Sequence, residues 1–107
     1  LTDASGLVIP KSIKSLHGTF SNSGLVNVPN LSNLTNLTDM TQTFSGCKKL
    51  TTVPTIPSSV TRTYRIFYNC YALTGTVVMN CNSTYSGQEF KGCYKTYWWI
   101  FKNEYLY

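Results

Sequence analysis

Apolar residues recur along this chain with a period far longer than any helix or strand repeat. Phe20, Phe44, Phe67 and Phe90 follow one another at 24, 23 and 23 residues. Three residues after each stands Ser23, Cys47, Cys70 or Cys93, and Leu25, Leu50 and Leu73 lie five or six residues after their Phe. Seven residues before the Phe come Ile13, Leu37 and Val60, with Ser83 breaking the column. Several columns in register identify a repeat of about 23 residues, a unit too short to bury its own apolar face. Single-domain boundaries at 1-107 follow, with units at about 8-28, 29-53, 54-77 and 78-95 and a C-terminal cap at 96-107.

Each unit has room for one short strand and one compact return. Val- and Thr-rich "LVNVPNL", "LTTVPTI" and "LTGTVVM" predict strands, all running the same way and therefore in a parallel sheet. Pro29 and Pro54 each remove a backbone donor and shorten or bulge the first two. "LTDMTQTF" and "VTRTYRIF" predict a short helical or 3-10 turn before each Phe. The fold class expected is an α/β repeat with a small parallel sheet. Phe fills the interior, Leu and Val line the sheet side, and Cys is a small plug at the turn between them. The tail "TYWWIFKNEYLY" is too aromatic to be left in water and is expected to cover the end of the stack.

"IPSSVTRTYRIFYNCYALTGTVVM", residues 57 to 79 with Ile56, resembles the BspA-type leucine-rich repeat, whose units pair an Ile-Pro-x-x-Val start with a Phe-x-x-Cys-x-x-Leu core. The likeness runs over roughly residues 8 to 95. It implies a short leucine-rich-repeat-like solenoid of the kind found in surface proteins of bacteria and some protozoa, and in similar arrays of bacteriophage tail proteins. Adhesion or recognition at an extracellular, cell or virion surface is the function the resemblance implies, and it brings no catalytic motif. Asn33 in the Ile column, a degenerate fourth unit and the tail depart from the family pattern.

Composition narrows the chemistry. With 107 residues, nine Lys or Arg and four Asp or Glu, the formal net charge is +5. No apolar run reaches the roughly 20 residues that cross a bilayer, so no transmembrane segment is expected. Leu1 stands where an initiator Met would, and the chain reads as a processed or excised segment. The four cysteines lack the two-residue gaps of a zinc knuckle, and three in one column cannot pair completely, so reduced, structural thiols are expected. Cys81, outside the column, is the one open to reaction or pairing.

Catalysis has few groups to draw on. His17 is the sole histidine, and Asp3, Asp39, Glu89 and Glu104 fall in different units. No cofactor is implied. Binding is better supplied: Lys48, Lys49, Tyr71, Tyr94 and Lys95 follow the Cys column, and Arg62, Tyr64, Arg65 and Tyr68 precede it. Tyrosine gives amphipathic area at low entropic cost and Arg adds donors and stacking. These nine residues are the expected ligand-binding set, with a cell-surface protein or glycan as partner. The strand residues Thr51, Thr52, Thr55, Thr76, Val78 and Asn80 form a second candidate surface. The alternative is a structural or assembly unit of a larger surface or tail protein, docked on a neighbouring subunit through Trp98, Trp99 and Phe101. Interleaved Lys, Arg and Tyr also suit a nucleic acid, but the cations are spread around the unit and no recognised nucleic-acid fold is present.

Overall fold

The computed structural model describes residues 3–4, 6–52, 55–79, 81, 83–93 and 95–101. Its framework is four turn segments, 16–23, 40–47, 63–70 and 86–93, lying one on the next. Their construction is legible in where each backbone N–H goes. In the first segment Thr19, Ser21 and Ser23 donate three residues back, to Leu16, Gly18 and Phe20. The alternate residues Leu16, Gly18, Phe20 and Asn22 donate instead to Asp39, Thr41, Thr43 and Ser45 of the second segment, at 2.7–3.0 Å. The second segment repeats the scheme onto Arg62, Tyr64, Ile66 and Tyr68, and the third onto Tyr85, Gly87, Glu89 and Lys91. Half the donors close turns and half stitch segments together, so the buried backbone is satisfied without a helix.

Left-handed residues explain why no helix forms. Gly18, Gln42, Arg65 and Gln88 occupy one column with φ of 63°, 55°, 51° and 53°. Asn22, Gly46, Asn69 and Gly92 occupy a second with φ of 57°, 76°, 59° and 88°. In the first three segments both columns supply the third residue of a hydrogen-bonded four-residue turn, the place where a type II turn requires positive φ. A right-handed helix cannot pass through two such residues in five.

The expected α/β leucine-rich-repeat solenoid is therefore not what this chain builds. Among the described residues there is no α-helix and no 3-10 turn, and "LTDMTQTF" and "VTRTYRIF" run as turns. Regular strand is confined to one parallel pair, β1 (Thr74–Met79) and β2 (Lys95–Phe101). "LVNVPNL" contributes a single bridge, Asn27 to Asp3, and Thr51 and Thr52 are not strand. Val53 and Pro54 lie outside the described residues. The turn segments meet instead through isolated parallel bridges, Ser15 to Asp39, Asp39 to Arg62 and Arg62 to Tyr85. Within the expected cap, Lys95–Phe101 pairs with β1 in parallel register, from Thr74 with Lys95 to Met79 with Phe101, with a bulge after Gly75. Residues 102–107, the remainder of the expected cap, lie outside the described residues.

Inside the turns the phenylalanines stack. Successive ring centroids from Phe20 to Phe90 are 5.8, 5.6 and 5.5 Å apart, and the first two pairs are within 8° of parallel. Phe44, Phe67, Leu25, Leu37, Leu50, Val60 and Leu73 are fully buried. The Cys column does more than fill space. Cys47, Cys70 and Cys93 each donate a thiol hydrogen to the carbonyl of the Phe one segment earlier, at 3.1, 3.1 and 3.2 Å. Hydroxyls do the same elsewhere: Thr43 reaches the Leu16 carbonyl at 2.9 Å and Ser59 the Leu37 carbonyl at 2.6 Å. Side-chain donors thus add a second hydrogen bond to carbonyls such as Leu16 O and Phe44 O, which already accept a turn N–H.

The fourth segment breaks the apolar Ile13, Leu37, Val60 column with Ser83 and places a carboxylate in the Thr19, Thr43, Ile66 column. Glu89 stands where the third segment has Ile66 and is 1% exposed; Ser83 stands where it has Val60. Thr63 lies between them, 2.7 Å from the Ser83 hydroxyl and 3.0 Å from Glu89 Oε2, which also accepts the Gly87 N–H. Thr63 thus links the two polar replacements, as buried polar groups require. Among the described residues Glu89 Oε1 has no hydrogen-bond partner.

All four cysteines are free thiols and all are buried, Cys81 included. Burial pushes the Cys70 thiol far above its ordinary range and the Cys81 and Cys93 thiols up to about 11, with the Glu89 charge adding to the effect at Cys81. Cys47 is also raised by burial, against the opposing hydrogen bonds of Ser23. The thiolate is the nucleophile, so Cys81 loses its expected place as the reactive thiol. Iodoacetamide at mildly alkaline pH should label none of the four until the chain is denatured. The folded state holds these protons more tightly than the unfolded state, whose thiols titrate near 9.0. The stabilisation is therefore complete below that pH and is lost as pH rises towards about 11. The urea midpoint should fall across that window, and rapid native labelling of Cys81 would contradict the burial described.

Candidate functional site

The bridge column Ser15, Asp39, Arg62 and Tyr85 runs along one side of the turn segments, and the residues two and three further on run beside it. This ladder brings four of the nine expected ligand-binding residues together. The Arg62 guanidinium lies 4.3 Å from the centre of the Tyr85 ring. The Arg65 guanidinium lies 5.1 Å from the Tyr64 ring and 4.5 Å from the Tyr68 ring, and Tyr64 meets Tyr85 at 5.4 Å with the rings tilted by 40°. Guanidiniums so placed are attracted by the ring quadrupole, by about 0.5–1 kcal/mol at an exposed site.

The two arginines are held differently. Arg62 Nε is 3.7 Å from Asp39 Oδ2, so its charge is locally matched, and His17 Nδ1 is 3.9 Å from the same oxygen. Partial burial pushes the Asp39 carboxyl up, but Thr41, His17 and Arg62 together outweigh it and leave it below its ordinary value. Arg65 donates its Nε hydrogen to Gln88 Oε1 at 2.7 Å and has no carboxylate within ion-pair distance among the described residues. It does so from a left-handed backbone, φ 51°. A non-Gly residue there costs of order 1–3 kcal/mol. Gly87, at φ 143°, lies beside the Tyr64 ring, with which even an added Cβ would be in ordinary contact at 3.4 Å.

The other expected residues stand apart. Lys48 Nζ is 6.0 Å from the Tyr71 ring centre, one unit away, and forms a separate, looser pair; Lys49 is exposed. Tyr94 lies outside the described residues, and of Lys95, Trp98, Trp99 and Phe101 only the backbone is described. In the second candidate surface Thr51, Thr52 and Thr55 are exposed, whereas the side chains of Thr76 and Val78, and all of Asn80, are not described. Thr55 instead lines a shallow cavity of about 370 Å³ with Ser32, Thr35, Ile56, Pro57, Ser58 and Ser59, which carries no charged group.

Sequence reading missed Tyr85, Asp39 and Gln88. The available signal was columnar: Tyr85 and Gln88 each stand 23 residues after an expected arginine, Arg62 and Arg65, and Asp39 stands 23 before Arg62. Among the described residues no three His, Cys, Asp or Glu side chains converge on a metal-sized site, and no helix is long and apolar enough to cross a membrane.

No family model, curated protein or solved structure matches the chain. The likeness to BspA-type repeats therefore rests on the quoted residues alone.

Proposed function

We propose that this chain is a non-catalytic recognition module that binds a cell-surface glycan or protein, outside the cell or on a virion. The observation that carries this reading is the cluster of Arg62, Tyr64, Arg65, Tyr68 and Tyr85, in which two guanidiniums rest on three tyrosine rings. Tyr and Arg are enriched at hot spots, Tyr for large contact area at low entropic cost and Arg for its planar fork of donors. Here their backbone is fixed by hydrogen bonds from both neighbouring segments, so little ordering is left to be done on binding.

Labelled chain should bind intact cells or a printed glycan array, and the Tyr64→Ala/Tyr85→Ala double variant should lose most of that signal while keeping its melting temperature within a few degrees. Binding that survives the double variant, or no binding to cells or glycans at all, would remove this reading. An assembly role is favoured by a different feature: among the described residues β2 pairs only with β1, which leaves its far edge able to take a strand from a neighbouring subunit. Retention of the chain by a larger particle, with cells and glycans ignored, would select that role.

A further inference from the structure

Resting on the recognition reading, we propose that Arg65 anchors the carboxylate of an acidic sugar, a uronic or sialic acid residue within a surface glycan. The two arginines of the cluster differ in what they can still bind. Arg62 already faces the Asp39 carboxylate at 3.7 Å, with its guanidinium over Tyr85. Arg65 has its Nε committed to Gln88 Oε1, and its two terminal NH₂ groups meet no carboxylate among the described residues. A guanidinium fixed through Nε presents that remaining pair in a plane, and a planar carboxylate accepts it through two parallel hydrogen bonds.

Two rings hold the fork in position. Tyr64 and Tyr68 are half-buried, with ring centres 5.1 and 4.5 Å from the guanidinium. Arg65 shares its left-handed column with Gly18, Gln42 and Gln88, so its positive φ belongs to the repeated turn.

The surroundings suit a sugar. The fully buried core of a protein interface is more apolar than the surface around it. The exposed aliphatic residues Leu7, Val8 and Val26 belong to other columns, and Arg65 is neighboured by tyrosines and by the amides Gln42 and Gln88 of its own column. A sugar ring offers C–H groups to the tyrosines and hydroxyls to those amides.

Calorimetric titration of the intact chain tests this with sodium D-glucuronate and N-acetylneuraminate, methyl glucoside as the neutral counterpart, glucose 6-sulfate as a tetrahedral anion, and tetraglutamate as an acidic peptide. Both carboxylate sugars should bind saturably, the neutral sugar should not, and the sulfate should bind more weakly. Arg65→Lys, which keeps charge but loses the fork, should weaken binding about ten-fold. Arg65→Gly should abolish it while melting no lower than the parent, because the left-handed strain is relieved. Arg62→Gln should change affinity far less. Unchanged affinity in Arg65→Gly, equal binding of the sulfate, or no saturable binding of either carboxylate sugar would overturn the assignment. Tighter binding of tetraglutamate would also overturn it, while leaving a recognition module for a protein.

Discussion

Phe67→Ala should lower the melting temperature by more than 10 °C, the largest loss expected from any single side chain in this protein. Phe67 is fully buried, and its ring lies between those of Phe44 and Phe90 at 5.6 and 5.5 Å. Removing such a ring costs about 3–5 kcal/mol, because the lost transfer energy is joined by the cavity left behind. The neighbours cannot close that cavity easily. Phe44 is held by its N–H to Ile66 O, and the backbone of position 67 itself by its N–H to Glu89 O. Domains of this size are stable by only about 5–15 kcal/mol, so the variant approaches the limit of folding. Phe20, which has a stacked ring on one side only and is 6% exposed, should cost less when truncated. A thermal scan in which Phe67→Ala melts with the parent, or in which Phe20→Ala loses more, would mean that the rings do not form one stack.

The second large effect belongs to a position with no side chain. A Cβ on Gly46 would collide with the carboxamide oxygen of Asn22, and one on Gly92 with that of Asn69. Gly46→Ala therefore carries two penalties. The left-handed backbone costs an L-residue about 1–2 kcal/mol, and overpacking adds about 1–3 kcal/mol. Gly18→Ala isolates the first, since nothing lies within 4 Å of its Cβ position although its φ is 63°. The urea midpoint should thus fall further for Gly46→Ala than for Gly18→Ala. Adding Asn22→Gly to Gly46→Ala should restore the steric share, leaving the double variant more stable than Gly46→Ala alone. Equal losses at positions 18 and 46, with no recovery in the double variant, would show that Asn22 and Gly46 do not meet.

What the sequence disclosed and what it hid follow from the same physics. Side-chain columns were readable because burial selects apolar residues at every turn of the repeat: Phe20, Phe44, Phe67 and Phe90 stack where their spacing puts them. Backbone conformation was not, because apolar spacing before each Phe fits a short helix as well as a chain of turns. Gln42 and Arg65 give no warning that they are left-handed. The Asn and Gly residues two after each Phe did carry that warning, being the residues that tolerate positive φ. The strand in the tail was not read because an aromatic run can close an end or form a strand equally well. Thr96, Trp98, Trp99 and Ile100 are strand formers, and β pairing decided the matter. At the site, Arg62, Tyr64, Arg65 and Tyr68 were legible because they share a unit. Tyr85, Asp39 and Gln88 were not, because contact across a unit boundary requires knowing which columns face outward.

The second left-handed column reads Asn22, Gly46, Asn69, Gly92, and its alternation sets how such a chain can grow or shrink. Each asparagine carboxamide fills the space that the glycine of the next segment leaves open. Within the stack, the smallest unit whose copying or deletion keeps this alternation is consequently two segments. Removing the second alone would bring Asn69 down on Asn22, where its Cβ meets the carboxamide that Gly46 now avoids. Inserting one sets either two asparagines or two glycines in contact, a collision in one case and a void in the other. A duplication of two segments keeps every asparagine beside a glycine. The repeat heard in the phenylalanines is a single beat, but the one obeyed by the backbone is a pair.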